Sequence, residues 1–187
     1  MIKICYKYAA TYILFCIVLA SCTKEVDFDQ ANDLSLNPVV ASNLIYFKAN
    51  ASDFSVDTTE LTTIKDSVII DLFRRDFFID YVVKAEFVFE VTNSINRRGN
   101  ITIEFFDIND QKRHEFSILT PASPNNIDLV TTHTEVFENN SLNALKASDK
   151  VVLTMQFLAG GDLLNMNTPG RIELKSKGVF YTTINDL

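Results

Sequence analysis

Three side chains that could move a proton occupy alternate positions in the stretch from Thr131 to Glu135. Strand alternation places the Thr131 hydroxyl, the His133 imidazole and the Glu135 carboxylate on one face. These are the group types of a nucleophile, a base and an orienting acid. Polar residues on the solvent face of a strand have this spacing without any catalytic role, so the pattern favours a solvent-exposed face. A hydrolase that uses His133 and Glu135 is the alternative, and His114, beside a turn, is interpreted as an exposed strand residue.

Cys22 is a second residue whose side chain could take part in chemistry. A short apolar run from Ala9 to Leu19 follows two lysines and leads into the small pair Ala20-Ser21 directly before Cys22. This order is typical of a secretory signal, and the run is too short to cross a bilayer as a helix. An ordinary signal peptide cut near Ala20-Ser21 would leave Cys22 as a plain thiol.

The segment around Cys22 resembles the lipobox of bacterial lipoproteins. That resemblance implies cleavage between Ser21 and Cys22, a diacylglyceryl thioether on Cys22 and an acylated new N-terminus. Several acyl chains, each contributing about 0.8 kcal/mol per buried CH₂, form a lasting membrane anchor. The covalent lipid is the only attached group that the sequence predicts.

Net charge and chain length limit the kinds of partner and the domain organisation that the sequence allows. The formal net charge is −7, and it becomes −9 once Lys3 and Lys7 leave with residues 1–21. An acidic chain argues against binding to nucleic acid. We predict a signal peptide at 1–21, a flexible acidic tether at 22–38 and a single domain at 39–187. Cys5 and Cys16 leave with the signal, so the domain has no disulfide.

Period-two alternation of apolar and polar residues dominates that domain. In the segment Lys84 to Thr92, the residues Ala85, Phe87, Phe89 and Val91 share one face. The segments 101–105 and 151–158 alternate in the same way, and Lys84 to Leu119 is interpreted as a three-stranded meander. Together these patterns predict an all-β antiparallel sandwich, immunoglobulin-like with Greek-key connections, with about seven to nine strands and a short helix near 141–147.

Two further patterns are candidates for binding. Phe77, Phe78 and Tyr81 cluster in a segment without strand alternation, where aromatic rings could contact a sugar or a partner; the alternative is that they close the end of the core. The stretch Asp107 to Asp110 begins like a calcium loop. Lys112 and Ile118 occupy the positions that an EF-hand loop gives to Gly and Glu, so a hairpin turn is favoured. A structural calcium stays open as an alternative.

The lipobox, the tether end Asp33 to Pro38 and the run Lys84 to Asn93 resemble small lipoproteins of flavobacteria, in the Bacteroidota. This resemblance implies a lipid-anchored outer-membrane location, on the periplasmic face or the cell surface, and implies no activity. The strand-turn-strand segment is also similar, at the level of fold, to sandwich domains of late-embryogenesis-abundant proteins, which transfers no site.

We therefore expect a non-catalytic binding module for an envelope protein or a glycan. An accessory subunit of an envelope, gliding or secretion assembly is the first alternative, and a hydrolase is the second. The oligomeric state is left open.

Overall fold

The computed structural model describes residues 35–56, 59–161 and 163–184. The predicted signal peptide, Ser21, Cys22 and the tether up to residue 34 lie outside the described residues. Ten strands occur in the described part: β1 Val39–Asn50, β2 Ser55–Val56, β3 Thr59–Glu60, β4 Thr63–Ile69, β5 Val82–Asn93, β6 Gly99–Phe106, β7 Lys112–Thr120, β8 Leu129–Phe137, β9 Lys150–Phe157 and β10 Arg171–Thr182.

Helices in the described part are few and short. Two α-helices are present, α1 Asp76–Tyr81 and α2 Asn139–Lys146, and two 3-10 helices, Ala51–Phe54 and Asp71–Arg74. Helix α2 confirms the short helix expected near 141–147. None of the helices in the described ranges combines the length and the apolar character that a bilayer-crossing helix requires.

The strands form two four-stranded antiparallel sheets and a small β2-β3 hairpin. The first sheet has the order β1-β10-β5-β8, and the second has the order β4-β9-β6-β7. This confirms the predicted all-β antiparallel sandwich. Every link between consecutive strands of these two sheets crosses to the other sheet, except the link from β6 to β7. Eight strands wound in this order are a jelly roll, which consists of two Greek keys. The immunoglobulin-like order was wrong, because an immunoglobulin domain of seven strands divides them four and three.

The predicted meander from Lys84 to Leu119 is only half present. Strands β6 and β7 pair as a hairpin, whereas β5 pairs with β10 and β8 in the other sheet. The segment after β5 is a corner that the Asn93 side chain holds: its amide donates to Arg97 O at 2.9 Å and to Pro121 O at 2.7 Å. Its Oδ1 accepts from Ile95 N at 2.9 Å, and Ile95 is fully buried. Buried bonds of this kind turn the chain into the second sheet instead of back along β5.

Phenylalanine rings fill the space between the two sheets. The alternation predicted for β5, β6 and β9 is confirmed, since the apolar residues of each strand are buried. Phe87 is at the centre, and its ring centroid lies 4.9 Å from that of Phe137 and about 6 Å from those of Phe73, Phe105 and Phe180. Burying one such ring contributes roughly 1.5–3 kcal/mol, so packing alone can stabilise a domain without disulfides.

The sandwich has two different ends. We call the end with α1, α2 and the turn 107–111 the helical end, and the end with the loops 94–98, 121–128 and 158–170 the loop end. Val39 pairs with Tyr181 at the helical end, and Asn50 pairs with Arg171 at the loop end. A strand of this length separates the two ends by roughly 35 Å.

The described part of the predicted tether belongs to the sheet. Leu36 and Ile184 exchange two backbone hydrogen bonds of 2.9 Å. The Pro38 carbonyl accepts from the backbone and the hydroxyl of Thr182. The segment 35–38 therefore extends the edge of the first sheet, because backbone pairing with the residues after β10 is available to it.

Candidate functional site

The predicted aromatic cluster is divided between the core and the surface. Phe78 is 2% exposed, and its ring lies 5.3 Å from those of Phe73 and Phe180, so it belongs to the core and cannot contact a ligand. Phe77 is 50% exposed and pairs with the half-buried Tyr81 at 5.3 Å. Phe77 and Tyr81 are four residues apart and share one face of α1, whereas the adjacent residues Phe77 and Phe78 do not face each other.

His133 and Glu135 lie on the inner face of β8, not on the expected solvent face. Phe137, two positions further on, is fully buried. His114 is also half-buried and inward-facing, so its interpretation as an exposed residue was wrong. The reason is topological: β7 and β8 are the edge strands of the two sheets on the same side of the sandwich. Their inner faces meet where the sandwich is open, and polar side chains can be accommodated there.

Glu135 joins the two histidines across this opening. His114 Nε2 lies 2.6 Å from Glu135 Oε1, and His133 Nε2 lies 3.1 Å from Oε2. The His133 ring stacks on Phe116 with a centroid distance of 5.1 Å, and the His114 ring lies 4.9 Å from Phe137. The arrangement is a hydrogen-bonded latch between β7 and β8, anchored on aromatic rings.

This latch does not have the geometry of a hydrolytic triad. Each histidine uses Nε2 on its own oxygen of Glu135, and no hydrogen bond joins Thr131 to His133. A general base needs hydrogen-bond reach to its nucleophile. Sequence analysis missed His114 as a member of this group, because its strand partner across the sandwich is distant in sequence.

Asp107 closes the turn between β6 and β7. Its Oδ1 accepts from the backbone N–H groups of Asn109 and Gln111, both at 2.9 Å, and its Oδ2 accepts from Arg113 Nε at 2.8 Å. The backbone bond from Gln111 holds the pKa of Asp107 below its usual value, and Arg113 lowers that pKa further. The favoured hairpin turn is therefore present, with both carboxylate oxygens engaged by the turn itself. Within the described ranges no group of three or more His, Cys, Asp or Glu is arranged to hold a metal ion.

A polar cavity at the loop end is a candidate site. Its volume is about 350 Å³, and all three loops of that end contribute to its walls. The lining consists of four amides, a guanidinium, a hydroxyl and three apolar side chains: Asn96, Arg97, Asn126, Leu163, Leu164, Asn165, Asn167, Thr168 and Pro169. We call it the loop-end pocket.

A buried ion pair fixes one wall of the loop-end pocket. Arg97 Nη1 donates to Glu60 Oε1 at 2.6 Å, and Nη2 donates to Leu158 O at 2.9 Å. The same Glu60 oxygen accepts from the backbone N–H of Leu164 at 3.2 Å. Arg97 is 5% exposed. Because its charge is compensated, the pocket presents neutral polar groups rather than a net cation.

The loops that carry the amides are tied to one another. Asn126 donates through Nδ2 to Ser94 O at 3.0 Å, which joins two of the loops. The Asn165 side chain accepts from Asn167 N at 2.9 Å, and Asn165 N donates to Thr168 Oγ1 at 2.9 Å. The pocket is therefore built before any ligand arrives. Sequence analysis missed it, although the density of asparagine in these three loops was a visible signal.

Comparison with known proteins finds distant structural likenesses only. The chain matches no protein-family model and no curated protein. The VP2 subviral particle of infectious bursal disease virus is 14% identical with a TM-score of 0.40, over 81% of this chain and 33% of that chain. A protein of Parabacteroides distasonis described as secreted is 14% identical with a TM-score of 0.45, over 62% of this chain and 36% of that chain.

A Bacillus endospore appendage, described as a disulfide-linked pilus, is 9% identical with a TM-score of 0.33, over 79% of this chain and 90% of that chain. The present chain spans about a third of the length of the viral and Parabacteroides proteins. These likenesses carry no functional argument.

Proposed function

We propose that this chain is a lipid-anchored, non-catalytic binding module of a bacterial outer membrane, and that its loop-end pocket binds a glycan. The anchor is Cys22, whose lipobox context implies acylation.

The observation that carries the glycan assignment is a cavity lined by four amides, of which Asn126 and Asn165 hold the loops in place and Asn96 and Asn167 do not. A carboxamide both donates and accepts hydrogen bonds, as sugar hydroxyls do. Asn96 and Asn167 are exposed, and their side chains form no hydrogen bond to the described part of the chain. Their polar groups are therefore available to a ligand, whereas Arg97 serves the pocket wall.

The described start of the chain does not contribute to the loop-end pocket. Residues 35–38 extend the edge of the first sheet at the helical end, and the pocket lies at the opposite end. Among the described residues, the pocket is therefore lined by the three loops of the loop end alone.

An envelope protein is the second candidate ligand, as in an accessory subunit of an envelope assembly. Two large apolar side chains of the loop 158–170 are strongly exposed, Leu163 at 72% and Met166 at 69%. Exposed apolar side chains beside polar groups are typical of protein interfaces. The hydrolase alternative has less support, because the latch geometry lacks a nucleophile within reach of a base.

The test is an array of bacterial and host glycans probed with the full-length protein, followed by titration of the best glycan. We expect Asn167→Ala and Asn96→Ala to weaken that binding at least tenfold, because each removes amide bonds to the sugar. Asn143→Ala, an exposed asparagine of α2 at the helical end, is the matched control and should bind like the parent chain.

Two outcomes would contradict the glycan proposal: no glycan binds, or Asn167→Ala binds as well as Asn143→Ala. Loss of a crosslinked envelope protein on Leu163→Ser, together with an empty array, would favour the protein partner instead.

A further inference from the structure

Strand β8 is an edge strand with no outward-facing charge, no proline and no bulge. Edge strands normally carry charges, proline or a bulge that prevents another strand from joining them. The other edges have such features: Lys112 and Arg113 on β7, Lys65 and Asp66 on β4, and a register shift between Asn43 and Tyr46 in β1. Strand β8 has no lysine, arginine or proline, and its nine residues pair with β5 without interruption.

The outer side of β8 has free backbone groups. Among the described residues, only β5 forms backbone hydrogen bonds with β8. Its one carboxylate, Glu135, points inward and is bonded to both histidines of the latch. The outward side chains are Val130, Thr132, Thr134 and Val136, all exposed and uncharged. Such an edge is suited to accept one more strand.

The residue order of β8 indicates which strand would pair with this free edge. Around His133 the strand is nearly palindromic: threonines stand one position before and after it, at 132 and 134, and valines stand three positions away, at 130 and 136. When two copies lie antiparallel about His133, each valine faces a valine and each outward threonine faces a threonine. Pairs of β-branched and hydroxyl side chains of this kind stabilise antiparallel strands.

We propose that β8 pairs with β8 of a second copy of this chain, about a two-fold axis at His133, and joins two four-stranded sheets into one of eight strands. A two-fold interface must be complementary to itself, and a palindromic strand meets that requirement. On the inner face, Thr131 of each copy then lies opposite Glu135 of the other and can donate to it. The inference does not depend on what the loop-end pocket binds.

The register is tested by crosslinking two differently tagged full-length chains, expressed together, with a short bismaleimide. One chain carries Thr132→Cys and the other carries Thr134→Cys, since directly opposed residues have Cβ atoms about 5 Å apart. We expect a crosslinked dimer that contains both tags. Chains with Ser42→Cys, on the β1 edge of the same sheet, should give none, and the parent chain controls for its own cysteines.

Self-association is tested by light scattering of the full-length protein in detergent. We expect a dimer whose dissociation constant rises at least tenfold in Thr134→Lys, because the lysine places a charge on the pairing edge. Ser67→Lys, on the edge strand β4 of the other sheet, should leave the dimer unchanged, and far-UV circular dichroism checks the fold of both variants. A monomer at all concentrations, or a dimer that Thr134→Lys does not weaken, would overturn the proposal; so would crosslinking at Ser42 equal to that at 132 and 134.

Discussion

At the scale of single residues, the bonding partners of a carboxylate decide which part of the fold it stabilises. Asp107 and Glu135 are both carboxylates with two bonded oxygens, yet their partners differ. The partners of Asp107 are local, in its own turn, whereas those of Glu135 come from two strands of different sheets. Asp107 therefore stabilises one hairpin, and Glu135 closes the open side of the sandwich.

We predict that Asp107→Asn lowers the free energy of unfolding at pH 7, and that this loss shrinks as the pH falls. The folded-state pKa of Asp107 is lowered, so its charged form stabilises the fold above the unfolded pKa of about 3.9. That stability is lost as the pH falls through the folded pKa. Urea unfolding of the parent protein and of Asp107→Asn between pH 7 and pH 2 measures the difference in unfolding free energy at each pH.

Asp110→Asn is the matched control for this prediction, because it removes the same charge from the same turn. It leaves the bonds of the Asp107 carboxylate in place, so we expect a smaller loss of unfolding free energy at pH 7 than in Asp107→Asn. If the loss of unfolding free energy in Asp107→Asn stayed constant from pH 7 to pH 2, the charge of Asp107 would not stabilise the fold.

At the scale of elements, the loop end depends on close contact between two loops. Gly170 has a φ of +103°, and a Cβ there would lie 2.5 Å from Ser94 O and 3.1 Å from Ile95 Cγ1. Gly160 has nearly the same φ, +105°, but a Cβ there would have nothing within 4 Å. The two glycines therefore have nearly the same φ and differ in what surrounds them.

We predict that Gly170→Ala lowers the free energy of unfolding by roughly 2 kcal/mol more than Gly160→Ala. Both variants bear the cost of a side chain at positive φ, about 1–3 kcal/mol, and only Gly170→Ala adds a clash with the backbone of the loop 94–98. Urea unfolding followed by circular dichroism measures the difference. Equal losses in the two variants would mean that the loops separate easily and that the pocket is not rigid.

At the scale of the whole molecule, the jelly roll separates the entry of the chain from the loop-end pocket. Chain entry at Val39 and the last described residues, up to Ile184, share the helical end, since Leu36 pairs with Ile184. Four links lie at the opposite end: the corner at 94–98, the segment with the hairpin β2-β3, and the loops 121–128 and 158–170. This arrangement suits a domain that is held at one end and binds at the other.

We predict that Cys22→Ala moves the protein from the membrane fraction to the soluble fraction, because the acyl chains are lost with the thiol. Cys16→Ala is the matched control: that residue lies in the apolar run of the predicted signal peptide, and its replacement should not affect anchoring. Fractionation of cells that express each variant measures the distribution. A Cys22→Ala protein that stays in the membrane would contradict the lipid anchor.

The sequence by itself determined the elements whose two faces differ clearly in polarity. The inward residues of β5, β6 and β9, the helix α2 and the turn at Asp107 follow from local alternation and turn chemistry, which need no distant contact. Local pattern also suffices for the class of fold, because strands of this type must cover one face with a second sheet.

Only the tertiary structure decided where those strands go and which face of β8 is inside. Both faces of β8 carry polar residues, so alternation identifies two faces without saying which one is buried. That choice depends on β7, which meets β8 only after the chain has crossed between sheets. The buried bonds of Asn93, the division of Phe77 from Phe78 and the assembly of the loop-end pocket likewise depend on contacts between residues far apart in the chain, and these long-range contacts have no local signature.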